Sequence, residues 1–238
     1  MYVTRMRASQ LGLCSSIGSA MRWAVGVGLP ASHFLDVVLY RTADLIAHPL
    51  MILDPRTGWS LSSYGGFLSG VLTIFLWSRH RKIPLLPYLD SLAPGIVVGF
   101  VFGRLGCFFV HDHIGRRTTF PLSVQFVDGS RHDLGLDEFL FCVLLAALCL
   151  ALMRSFRPVG TYVALVCATY GPVRLFLDCL RGTDIPGSDV RWFGLTPAQY
   201  CSIPVFILGA SLSLRLLSQT TRSASAAREV PGGANAST

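Results

Sequence analysis

The sequence predicts an all-α fold, a polytopic membrane helical bundle of about six spans, and three observations carry that expectation. The chain is 52% hydrophobic and only 14% charged, and its mean hydropathy of +0.54 lies far from that of ordinary soluble domains. Its apolar residues are gathered into runs near the roughly 20 residues that cross a bilayer at ~1.5 Å each. Its basic residues, all arginine except Lys82, sit mostly in short links between those runs. That is the positive-inside pattern rather than a basic stripe, and it argues against nucleic acid as a partner despite a net charge of +7.

The spans follow in order. Residues 17–46 are diffuse, broken by Arg22, Pro30, His33, Asp36 and Arg41, and can span, lie at the interface or re-enter. Residues 61–77, 84–110, 138–153, 159–180 and 197–217 are the other five, and the run 84–110 is long enough to tilt. Arg79, Arg81 and Lys82, the link with Arg154 and Arg157, and Arg215, Arg222 and Arg228 share one side. By the positive-inside rule that side is cytoplasmic, and the N-terminus, residues 1–16, joins it through Arg5 and Arg7. The opposite loops, near 47–60, 111–137 and 181–196, interleave their basic residues with Asp54, Asp112, Asp128, Asp133, Asp184 and Asp189. Residues 218–238 close the chain as a cytoplasmic tail expected to be disordered, small and polar at its end.

Seven cysteines share no finger-like spacing, and Cys107, Cys142, Cys149, Cys167, Cys179 and Cys201 lie in or beside apolar runs. Free thiols behaving as small hydrophobes are expected, without a disulfide framework. Leu11, Gly12, Leu13 and Cys14 faintly resemble a cleavage box, but no apolar core precedes them, so no cleaved signal peptide is read there.

The chemistry concentrates in two spans. Gly95, Gly99 and Gly103 are four apart, with Gly106 three further on, which makes a smooth helix face for close packing. Arg104 stands beside that groove, and Cys107 and His111 share its face if the helix continues that far. In the fifth span Tyr170, Arg174 and Asp178 are each four apart and form one polar stripe. A structural ion pair between Arg174 and Asp178 would explain that pair, but not Tyr170 or a second intramembrane arginine. Two guanidinium groups at membrane depth suit a lipid phosphate, because the planar fork donates two hydrogen bonds and stays charged when desolvated. His111, Asp112 and His113 have too few companions to read as a metal centre, and no metal or organic cofactor is expected.

Taken together these stretches resemble the prolipoprotein diacylglyceryl transferase family of bacterial membrane enzymes, over about residues 36–217. Gly103-Arg104-Leu105-Gly106 with Phe108 is similar to the family's Gly-Arg-x-Gly-Asn-Phe stretch. Tyr64-Gly65-Gly66 with Gly70 resembles its His-Gly-Gly segment, and Tyr170-Gly171-Pro172-Val173-Arg174 with Asp178 its Tyr-Gly-x-x-Arg stretch. Gly115 and Arg116 fit in order. The departures are specific: the family's histidine is Tyr64 here, its asparagines are Cys107 and Val110, and its glutamate is Asp112. The family also has a span ahead of Asp36, for which only residues 17–35 are at hand.

The resemblance implies transfer of diacylglyceryl from phosphatidylglycerol to the lipobox cysteine of a prolipoprotein, in the bacterial inner membrane, the loops above then facing the periplasm. It implies Tyr64, Tyr170 and Arg174 as catalytic residues and Arg104, Arg116, Cys107, Asp112 and Asp178 as substrate-binding ones. The base for the acceptor thiol is left open among Tyr64, Tyr170, His111 and His113. Its partners would be phosphatidylglycerol, the prolipoprotein signal peptide and the bilayer. Three alternatives stand beside this: the same scaffold with another acceptor, a non-catalytic relative that binds anionic phospholipid or precursor, and a channel or transporter. The hydropathy shows no inverted repeat in favour of the last.

Overall fold

A computed structural model describes residues 1–50, 63–185, 188 and 191–229, without the side chains of residues 36, 39, 40, 42, 43, 63, 64 and 223–229. Most of the loop near 47–60, Asp189, and residues 230–238 of the tail therefore lie outside the described residues. The helices are α1 (Tyr2–Gln10), α2 (Cys14–Tyr40), α3 (Thr42–Ala47), α4 (Ser63–Arg81), α5 (Leu85–Val110), α6 (Leu134–Leu152), α7 (Thr161–Cys179) and α8 (Pro197–Glu229). Between α5 and α6 lie three short strands, β1 (Ile114–Arg117), β2 (Val124–Phe126) and β3 (Gly129–Asp133).

The chain is a polytopic helical membrane protein. Among the described residues four helices are long and apolar enough to cross a bilayer, namely α5, α6, α7 and α8 up to Arg222. Helices α2 and α4 have the length, 27 and 19 residues, but are more polar, Arg22 and His33 interrupting α2 and histidine and arginine ending α4. The diffuse first segment is thus one helix through Pro30 that stops at Tyr40, with α3 a separate turn. At the other end α8 continues to Glu229, where composition suggests disorder from residue 218.

Helices pack pairwise, α7 on α8, α2 on α4 and α5 on α6. Small residues set the closest approach. A Cβ at Gly209 of α8 would overlap the Ala168 backbone of α7, and one at Gly171 would stand 3.0 Å from the Phe206 backbone. The α5 glycine face behaves differently from its expected role. Only Gly95 is closely approached, by Thr4 of α1, whereas Gly99, Gly103 and Gly106 have open space beside them. Leucine and phenylalanine side chains such as Phe102, Leu144, Phe176 and Leu214 are exposed on α5 to α8, as lipid-facing surfaces require. Inside, Val97, Leu145, Cys149, Tyr162 and Cys167 join α5, α6 and α7, and Ile17, Ile74, Trp77, Tyr88 and Leu92 join α2, α4 and α5.

The N-terminal arginines do not act alike. Arg7 is fully buried in a pair with Asp90 of α5 at 2.7 Å, and also donates to the carbonyls of Arg157 at 2.9 Å and Pro158 at 3.1 Å. Asp90 in turn accepts from the backbone of Tyr162 at 2.8 Å and Val163 at 3.2 Å. It thereby caps α7 from a neighbouring helix and satisfies amides that the helix itself leaves unpaired. Arg7 is therefore a buried latch rather than a solvated topological charge. Arg7→Ala strands the Asp90 carboxylate and is expected to cost about 3–5 kcal/mol. A clear drop in melting temperature in detergent checks this; an unchanged one shows the latch to be dispensable.

The sheet, order β1-β3-β2 and antiparallel throughout, lies where sequence reading gives only loop. Its strands are only three to five residues long, β1 and β3 mostly polar, which is too short for apolar alternation to announce them. What organises them is Arg131, buried in β3. It donates to the Gly115 carbonyl at 3.1 Å, to Asp184 at 2.5 Å and to Asp128. Its hydrogen bonds hold the Asp128 carboxyl down at about 2 and depress that of Asp184. The sheet thus ties the α5–α6 connection to the α7–α8 connection. Asp133 ends β3 and caps α6, accepting from the Leu136 amide at 3.1 Å.

Candidate active site

The polar stripe on α7 meets α5 across a residue of α6. Glu138 is fully buried one turn into α6. One of its oxygens pairs with Nε of Arg104 at 2.9 Å and the other with Nη1 of Arg174 at 2.9 Å. The Tyr170 hydroxyl donates to the oxygen that Arg104 holds, and lies 3.5 Å from Nη2 of Arg104. Both guanidinium groups are almost wholly buried, 4% and 5% exposed, so a carboxylate between them is what allows two cations to coexist in a dry site. The two arginines do converge, as their placement within spans predicts.

Further along α7 the carboxylate of Asp178 stands 3.3 Å from Arg174 Nη2 and 3.7 Å from Arg181 Nη1, and accepts from the Thr196 hydroxyl. Among the described residues the cluster holds the three guanidinium groups of Arg104, Arg174 and Arg181 against the carboxylates of Glu138 and Asp178. Phe100 and Phe141 flank the Tyr170 ring, with centroids 5.6 Å and 6.3 Å away. From this aromatic wall a small apolar pocket of about 30 Å³ shares Phe67, Ile96 and Phe100 with a larger one of about 430 Å³ between α2, α4 and α5. A charged head group and apolar chains would thus find adjoining environments.

At the end of α5, Cys107 lies one turn from Arg104, its Sγ 3.9 Å from Arg104 Nη1. The side chains of Cys107, Asp112 and His113 place their polar atoms within 4.8 Å of one another. These residues form the only such grouping among the described residues. It differs from the His111, Asp112 and His113 set that the sequence brings to mind. Two cations already address its donors: Arg104 at the sulfur, and Arg181, whose Nη2 lies 2.9 Å from Nδ1 of His113. That charge environment suits an anion better than a metal ion. Burial first, and then the Arg181 guanidinium, push the His113 imidazole down to about 3. The imidazole is therefore neutral at pH 7.

His111 does not continue the α5 face. It ends the helix in a left-handed conformation at φ 50° and turns its ring to Asp133, at 2.5 Å. Arg116 is likewise outside the cluster: its side chain is exposed and donates to the Cys179 carbonyl, while its amide donates to Leu180 at 2.8 Å. It satisfies the C-terminus of α7 rather than facing Arg104 and Arg174. Tyr64 lies in the first turn of α4, and its side chain is outside the described residues.

Sequence reasoning passed over Glu138 and Arg181. Glu138 was legible as an acidic residue at the start of an apolar run, the same signal that singles out Arg104 and Arg174. Arg181 follows Asp178 by three positions and continues the α7 stripe into the loop.

Comparisons with known proteins give the family. The family model for prolipoprotein diacylglyceryl transferase matches residues 1–215. A phosphatidylglycerol–prolipoprotein diacylglyceryl transferase of Wolbachia pipientis subsp. Culex pipiens is 30% identical over 191 residues, covering 76% of this chain and 71% of the relative. Enzymes of the same name from Agrobacterium fabrum and Neisseria gonorrhoeae are 26% and 29% identical, covering 83% and 82% of this chain and 73% and 77% of their own lengths. With a family match along most of its length and a relative 30% identical over three quarters of it, the chain belongs to the prolipoprotein diacylglyceryl transferase family.

Proposed function

We propose that this protein transfers the diacylglyceryl group of phosphatidylglycerol to the lipobox cysteine thiol of prolipoproteins, in the inner membrane of a bacterium. The observation that carries the reading is the convergence of Arg104 and Arg174 on Glu138 in a nearly dry site beside apolar cavities. The phosphate enters where the two forks meet, and Glu138 holds both in position. As the bond between the glyceryl carbon and the phosphate oxygen breaks, charge grows on the departing glycerol phosphate. Guanidinium groups already in place stabilise that charge without reorganising. Tyr170, hydrogen-bonded to Glu138 and next to Arg104, is placed to contact the same phosphate. Asp178 keeps Arg174 and Arg181 in register. The loops near 111–137 and 181–196, joined through Arg131 and Asp184, form the periplasmic rim at which a signal peptide would arrive.

The acceptor thiol must lose its proton, and Tyr64, at the family's histidine position, is the group to test. A phenol of ordinary pKa ~10 exchanges protons poorly at neutral pH, where an imidazole of ~6.5 does so well. In phosphatidylglycerol vesicles with a lipobox peptide, Tyr64→His is expected to preserve or raise the rate. Tyr64→Phe is expected to lower it at least about tenfold if the phenol carries the proton. Full activity of Tyr64→Phe moves the role to His111, His113 or Tyr170. If neither the wild type nor Tyr64→His forms thioether-linked product, the transferase reading fails and phospholipid binding without catalysis takes its place.

A further inference from the structure

The site contains a thiol of its own, beside Arg104. Cys107 is half-buried, its Sγ is 3.9 Å from Nη1 of Arg104, and Arg104 is held by Glu138 at 2.9 Å. The Asp112 carboxylate, 45% exposed, also lies within 4.8 Å of the sulfur. The cysteine is therefore not isolated. A buried cation that would hold a lipid phosphate and a solvent-connected carboxylate both stand beside it. Of the seven cysteines, all free, Cys107 is the one that touches the arginine cluster. Cys142, Cys149 and Cys167 are buried in the core, and Cys179 lies at the end of α7 against Gln199, at 3.1 Å.

We propose that Cys107 is a self-modification site, alkylated by the diacylglyceryl group of a phosphatidylglycerol bound at Arg104 and Arg174. This rests on the transferase reading above. As the sulfur attacks, its proton moves to the Asp112 carboxylate, and Arg104, 3.9 Å away, offsets the negative charge building on the sulfur. The sulfur attacks the terminal glyceryl carbon that bears the phosphate. A carbon–sulfur bond forms as the carbon–oxygen bond breaks, and its electron pair leaves with glycerol phosphate. The proton on Asp112 is released to solvent. Nothing is oxidised or reduced, and no further reactant enters. A thioether is a poor leaving group, so the adduct is terminal: each chain carries at most one such lipid, and an alkylated chain has its acceptor position filled. Free acceptor peptide competes for the same lipid and slows the self-reaction.

The test uses the full-length protein in dioleoyl-phosphatidylglycerol vesicles, followed by intact-protein and tryptic mass spectrometry. The expected result is one diacylglyceryl adduct, carried by the tryptic peptide 105–116 that contains Cys107. It resists neutral hydroxylamine, which removes a thioester, and reduces to a glyceryl thioether on ester saponification. It is absent from the near-isosteric Cys107→Ser and from Cys107→Ala, and retained in Cys179→Ser. Vesicles of phosphatidylcholine yield no adduct, and excess lipobox peptide lowers its formation severalfold. Peptide lipidation without any adduct on Cys107 overturns the proposal and leaves the transferase reading standing. An adduct mapped to another cysteine, or one lost to hydroxylamine, also overturns it. Neither adduct nor lipidated peptide overturns both together.

Discussion

Arg104→Ala and Arg174→Ala are each expected to lower diacylglyceryl transfer by at least about 10²-fold, the scale on which loss of one preplaced transition-state donor is felt. Both groups are buried beside Glu138, where an electrostatic contact acts through far less screening than in water. Their effect should fall on kcat as well as on lipid affinity, because charge on the phosphate oxygen rises as the carbon–oxygen bond breaks. Arg79→Ala is the matched control. It removes an exposed guanidinium from the last turn of α4, far in sequence from the cluster, and should leave the rate unchanged. The measurement is thioether-linked peptide formed in phosphatidylglycerol vesicles, at protein levels matched by immunoblot. Equal losses in all three variants would show that folding is being read, and would remove the case for a phosphate clamp.

The second large effect is expected at Glu138. Glu138→Ala leaves two nearly dry guanidinium groups without their shared counter-charge, and should destabilise the protein by about 3–5 kcal/mol. Glu138→Gln separates folding from chemistry, since the amide keeps the shape and one acceptor while the negative charge goes. Without the carboxylate the phosphate meets no competitor for the two forks, so KM for phosphatidylglycerol should not rise. The guanidinium groups lose the group that aligns them, so kcat should fall at least about tenfold, in line with misplacement of a positioned group. A purely structural Glu138 would move the melting temperature and leave kcat per folded molecule untouched. That outcome would relegate Glu138 to packing.

Much of this protein was legible in its residues because the relevant physics is local. An apolar run near bilayer length becomes a helix whatever surrounds it, since backbone groups in hydrocarbon have to be satisfied within the segment. A four-residue interval puts Tyr170, Arg174 and Asp178 on one face by helix geometry alone. Arginine within such a run is costly enough to mark Arg104 and Arg174 as partners of something buried. The seven cysteines read as free thiols are free in the structure.

What the sequence by itself determined, then, was the membrane class, the α5 to α8 spans and the local order of the polar stripe. Tertiary structure decided which groups meet. Glu138 joins Arg104 to Arg174 across 34 and 36 positions of chain, and the crossing of three helices, not any spacing, brings them within 2.9 Å. The same packing takes Arg116 to the end of α7 and His111 to Asp133, away from the cluster their positions suggested. It draws Arg7 from the N-terminus into a latch with Asp90, and sets three short strands around the buried Arg131. For Glu138, Arg7 and Arg131 the deciding term is a desolvated charge. Its cost is fixed by residue type and can be read in a sequence, whereas the partner that offsets it is chosen by which helices and loops happen to be neighbours in space.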